Sequence, residues 1–97
     1  MPSIGAYNLK GCFMDAVTAR GIIGYELTSS SMTNELCVSA CQGKGYTLAG
    51  IENGDECYCG NTLTTAPSNI TDCEAYFCPG NSKEFCSAGN RLLVYST

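Results

Sequence analysis

The chain has 97 residues, a net charge of −4 and a sequence pI of about 4.4, enough for one domain with a modest core, because a chain this short buries only about 60–65% of its unfolded surface. Its five basic residues, Lys10, Arg20, Lys44, Lys83 and Arg91, are scattered, which excludes the clustered positive charge that nucleic acid and anionic membrane surfaces require. Histidine is absent, so a Ser–His or Cys–His nucleophile pair is excluded, and the commonest general base and metal ligand is missing.

The opening residues MPSIGAYN lack both the basic and the apolar region of a signal peptide. Residues 1–6 are expected to form an N-terminal tail ahead of a domain over 7–97. LKGCF at 9–13 is short and apolar and reads as a strand, and GIIGYEL at 21–27 as an extended loop or irregular strand. The stretch 29–45, SSSMTNELCVSACQGKG, carries helix punctuation: Thr33 can N-cap, Glu35 then sits in the first turn, and Gly43 or Gly45 can stop the chain. The spacing predicts one short helix over 34–42.

TLAGIE at 47–52 reads as a strand, Asn53-Gly54-Asp55 as a tight turn and ECYCGN at 56–61 as the returning strand, because Asn-Gly supplies the positive φ of hairpin turns. Residues 62–72 form a polar loop, 73–90 a turn-rich segment, and RLLVYS at 91–96 a closing strand. No apolar stretch approaches the roughly 18 residues of a membrane span, so direct membrane insertion is not expected.

Eight cysteines are the density of small secreted, disulfide-dense domains, and their even number allows complete pairing. Cys37 and Cys41 stand four apart on the predicted helix, and Cys57 and Cys59 two apart on the predicted strand. Each pair shares one face of its element, at about 6 Å and 6.6 Å respectively, so the pairs can meet as two rungs. Cys37–Cys57 with Cys41–Cys59 is one pairing; the crossed one needs a reversed helix. Each bridge closes about 20 residues, about 3 kcal/mol in the chain-entropy model. Zinc is the competing use of four thiolates, but C-x-C on a strand splays them poorly and four further cysteines would lack a role; no metal or cofactor is expected.

The segments GCFMD, SSSMTNELCVSAC, GIENGDECYCGN and CPGNSKEFCSAGNRLLVY together resemble the WSC domain, the cysteine-rich module of fungal cell-wall sensors. It is also appended to secreted carbohydrate-active enzymes and found in animal receptor ectodomains. The resemblance covers about residues 7–95. It implies an α+β, PAN/apple-like fold, a twisted antiparallel sheet cradling one short helix, with disulfides Cys12–Cys73, Cys37–Cys57, Cys41–Cys59 and Cys78–Cys86. It further implies a secreted or cell-surface, non-catalytic binder of wall polysaccharide, mainly β-1,3-glucan, with xylan or chitin for some members.

Sugar recognition needs aromatic platforms for C–H faces and amide or carboxylate groups for hydroxyls. Tyr58 alternates away from the cysteine side of its strand and is a candidate platform, with Glu52, Asn53, Glu56 and Asn61 near it in sequence, Asn81 in a stapled turn and Tyr46 as a further aromatic candidate. Tyr7, Phe13, Phe85 and Tyr95 read as core, whereas Tyr76 and Phe77 are open to either role. Glu52, Asp55 and Glu56 invite a glycosidase or calcium reading. The chain is too small for a cleft gripping several sugars, and no oxygen-dense calcium loop is present. Asn69-Ile70-Thr71 is an N-glycosylation sequon in a polar loop. The alternative function is a protein–protein or weakly self-associating ectodomain module.

Overall fold

The computed structural model describes residues 3–16, 18 and 20–97; the first two residues of the expected tail lie outside them. In chain order the elements are β1 (Ser3–Ile4), β2 (Tyr7–Met14), β3 (Tyr25–Thr28), α1 (Asn34–Gly43), β4 (Leu48–Glu52), β5 (Glu56–Gly60), β6 (Pro67–Ser68), a 3₁₀ turn (Ile70–Cys73), β7 (Phe77–Cys78), β8 (Asn81–Phe85) and β9 (Arg91–Ser96). One antiparallel sheet runs β1-β2-β9-β4-β5-β3, with β6 joined to β2, and β7–β8 form a separate hairpin. The fold is α+β, a sheet with one short α-helix against it and four disulfides.

The local signals explain the elements. Thr33 caps α1, its hydroxyl accepting from the Leu36 amide at 2.9 Å, and Glu35 occupies the first turn, where its charge suits the helix dipole. The helix stops as Lys44 and Gly45 turn their amides back onto Cys41 and Gln42, with Gly45 at φ +82°. Asn53 and Gly54 both take positive φ, +56° and +85°, in the three-residue loop that joins the paired Glu52 and Glu56 and closes the β4–β5 hairpin, a conformation that Asn and Gly adopt most readily.

The helix lies over β4 and β5, bolted by Cys37–Cys57 and Cys41–Cys59; Cys12–Cys73 ties the 3₁₀ turn to β2, and Cys78–Cys86 staples the β7–β8 hairpin. Beneath the helix, Ala49 and Ile51 of β4 and Leu93 and Tyr95 of β9 join Val38, Met32 and Tyr7 in the main core. Tyr7 and Tyr95 are buried, whereas Phe13 and Phe85 are only half-buried. Burial lifts the Tyr95 phenol to about 12.

The opposite face carries a second core of Ile22, Leu48, Tyr58, Leu92 and Val94. Every residue of β4 is therefore buried, the mark of a strand covered on both sides. Glycine makes this second cover possible. A Cβ at Gly50 would stand 2.8 Å from Leu92 Cδ2 and 3.0 Å from Ile22 Cδ1, and one at Gly60 would stand 2.9 Å from the Ile23 carbonyl oxygen. The segment around Gly21–Gly24 thus lies flat on strands that offer it no side chains at these points.

Candidate functional site

That covering segment corrects the expectation for Tyr58. The residue does alternate away from the helix, but it is only 6% exposed, with Arg20 centred 4.8 Å over its ring. Its hydroxyl donates to Glu56 Oε1 at 2.8 Å, and burial with that neighbouring carboxylate drives the phenol well above its ordinary value. A ring covered by a guanidinium and bounded by Ile22 offers no open face for a sugar; Tyr58 supports the outer core.

Arg20 organises this region. Its Nη1 donates to Asp15 Oδ2 at 2.6 Å and to Glu52 Oε1 at 3.1 Å, and Asp15 Oδ1 accepts the Gly21 amide at 2.6 Å. One guanidinium thus faces two buried carboxyl groups. Burial, reinforced by the hydrogen bond and charge of Asp15, lifts the Glu52 carboxyl to about 8 despite Arg20, so Glu52 holds a proton at neutral pH. The sequence offered no sign of this: Asp15 and Arg20 fit no periodic pattern, and only the fold brings them to Glu52.

The structure gathers some expected site residues and separates others. Glu52, Asn53, Glu56 and Tyr58 share one neighbourhood: Asn53 Nδ2 donates to Glu56 Oε2 at 3.3 Å, and a groove of about 210 Å³ runs between Arg20, Glu52, Asn53, Glu56 and Asn90. Asn61 lies at the other end of the β4–β5 hairpin, about 17 Å away along five-residue strands, accepting from the Thr47 amide and hydroxyl at 3.0 and 3.2 Å. Tyr46 packs half-buried against the main core and takes the Tyr7 hydroxyl on its carbonyl. Asn81 belongs to the helix side of the sheet, its Oδ1 accepting the Lys83 amide at 3.0 Å.

The open aromatic surface lies elsewhere. Tyr76 and Phe77 are 50% and 57% exposed, and Phe77 stacks on Phe85 across the β7–β8 hairpin with ring centroids 4.8 Å apart. Tyr76 abuts the β4–β5 turn: a Cβ on Gly54 would lie 3.5 Å from its own Cβ. Backbone bonds from Asn53 to Ala88 and from Gly54 to Cys86 lock the turn to this segment. The sequence left both aromatics undecided, because a short stapled turn has no period to show which side faces water.

The eight sulfurs are all bound in disulfides, so the close grouping of Cys37, Cys41 and Cys57 has no thiolate to offer a metal. Asn69 and its neighbours Ile70 and Thr71 are exposed. Among the described residues no helix is long and apolar enough to cross a membrane.

Comparison with known proteins agrees with this architecture. The WSC domain model matches residues 9–88. A WSC domain-containing protein of Arthroderma benhamiae is 35% identical over 97% of the chain, Kremen protein 2 of Mus musculus 36% over 88%, and Xylosyltransferase sqv-6 of Caenorhabditis elegans 36% over 90%. The chain spans only 13%, 19% and 11% of these relatives, so it corresponds to one module of each. WSC domains are themselves non-catalytic, of carbohydrate-binding type, and occur in extracellular or cell-surface proteins. By the extent of the match and the identity across nearly its whole length, the chain belongs to the WSC domain family.

Proposed function

We propose that this module anchors its parent protein to cell-wall polysaccharide, β-1,3-glucan first and xylan or chitin second, from a secreted or cell-surface position. The observation that carries the reading is the exposed Tyr76–Phe77 ridge, whose Tyr76 stands beside the polar Asn53–Asp55 turn. The two rings offer apolar faces to sugar C–H groups, while Asn53 and Glu56 are within the adjoining groove to meet hydroxyls. Tyrosine and phenylalanine present less area than tryptophan, which this chain lacks, so binding is weak per site and suited to a repetitive solid.

The test is depletion from solution by insoluble β-1,3-glucan, xylan and chitin against a cellulose control. Retention on glucan should fall severalfold in Tyr76→Ala and Phe77→Ala with the melting temperature little changed. Retention on none of the three beyond the control would reject the proposal; unchanged retention in both variants would remove the ridge from it.

Self-association is the second reading, supported by Ile23, 81% exposed, next to Tyr25 at the free edge of β3. Sedimentation without sugar discriminates: concentration-dependent dimers that dissociate in Ile23→Asp would favour it.

A further inference from the structure

The helix covers the β4–β5 half of its face of the sheet, and over β2 and β9 the chain leaves a cleft of about 400 Å³ between the start of α1, β8 and the 3₁₀ turn. Its volume lies within the range of small-molecule sites. Leu9 and Leu93 form the floor, and Ile70 and Phe85 flank it. Glu35 and Glu84 face each other across the helix start. Glu84 Oε1 accepts the Asn34 amide at 3.0 Å, so one carboxylate oxygen is fixed in place. Apolar walls with fixed hydroxyl acceptors suit a pyranose ring, whose C–H faces need the first and whose vicinal hydroxyls need the second.

Resting on the carbohydrate-binding reading above, we propose that this cleft is a second sugar site, distinct from the Tyr76–Phe77 ridge, taking a neutral or amino-bearing pyranose and rejecting uronic acids. Phe85 links the two, since it lines the cleft and stacks on Phe77, so one glycan can run from ridge to cleft. The charge selectivity follows from the rim, where Glu35, Glu74 and Glu84 outnumber Lys83. A sugar carboxylate would meet net repulsion at short range. A hydroxyl or ammonium donor instead relieves two facing carboxyl groups, whose proximity, after burial, raises Glu84 above its ordinary value.

The experiment is amide chemical-shift mapping of the oxidised domain titrated with soluble hexasaccharides of β-1,3-glucose, β-1,4-xylose, β-1,4-glucosamine and α-1,4-galacturonate. Expected are shifts at Leu9, Lys83, Phe85 and Leu93 with one or more of the first three and none with galacturonate. Glu35→Gln should weaken that binding about tenfold, as for one charge-assisted hydrogen bond, and Ile70→Asp, on a half-exposed side chain, should abolish it with the fold intact by its unperturbed spectrum. A silent cleft in a domain still retained on insoluble glucan would overturn this site and leave the anchoring role standing; galacturonate binding equal to the neutral sugars would overturn the selectivity. Cleft shifts without retention on any solid would uphold the site and reject wall anchoring.

Discussion

The proton held by Glu52 makes stability depend on pH in a direction opposite to that of a salt-bridged carboxylate. In the unfolded chain Glu52 titrates near 4.5; in the fold, where the residue is 3% exposed beside Asp15, it titrates near 8. Between those values the folded state keeps a proton that the unfolded state releases, so unfolding releases a proton and rising pH favours it. The contribution is fully present below about pH 4.5, falls by up to about 1.4 kcal/mol per pH unit, and is lost above about 8, an order of 5 kcal/mol at most. At about 4–8 °C per kcal/mol for a domain of this size, thermal unfolding followed by circular dichroism should show a drop of at least about 10 °C from pH 4.5 to 8. Glu52→Gln isolates the cause. An amide can donate to Asp15 and accept from Arg20, as the protonated acid does, and it does not titrate. The variant should match the wild type near pH 4.5, exceed it at pH 8, and retain only the shallower slope left by Glu84, whose carboxyl is also raised. A wild-type melting temperature that is flat or rises over this range, or a Glu52→Gln profile as steep as wild type, would refute the reasoning.

Substitutions at two positions test the outer core. Tyr58→Ala should destabilise by about 3–5 kcal/mol because a buried ring under Arg20 is lost, whereas Tyr58→Phe keeps the ring and should cost about 1 kcal/mol for the hydrogen bond to Glu56; equal and small effects in denaturant melts would place Tyr58 outside the core. Gly50→Ala drives a Cβ to 2.8 Å from Leu92 and 3.0 Å from Ile22 and should cost about 1–3 kcal/mol, with faster amide exchange in the Gly21–Gly24 segment as the accompanying sign that its cover has lifted.

The legible part of this protein was local. Helix start, hairpin turn and closing strand could be read because Thr33, Asn53-Gly54 and the RLLVYS run act through their immediate neighbours. The C-x₃-C and C-x-C spacings set two sulfur pairs on matching faces, which is why the helix-on-hairpin bolt could be foreseen. The short β6 and β7 strands and the bulge in β2 around Gly11, at φ +140°, were not foreseen, since two-residue strands exist only by pairing with distant chain.

The binding surface was the least legible. Strand alternation placed Tyr58 on the face away from the helix, and that was right, but alternation cannot say what else lies on that face. The Arg20–Gly24 segment does, because Gly50 and Gly60 leave room for Ile22 to pack there. Sequence by itself therefore determined the helix, the central hairpin and the facing of their two sulfur pairs, all set by short-range geometry and cysteine spacing, while the remaining disulfides followed from the resemblance to the WSC domain. Only the tertiary structure decided which aromatics meet water and which carboxyl keeps its proton, because exposure and desolvation depend on segments far apart in the chain coming to rest on one another.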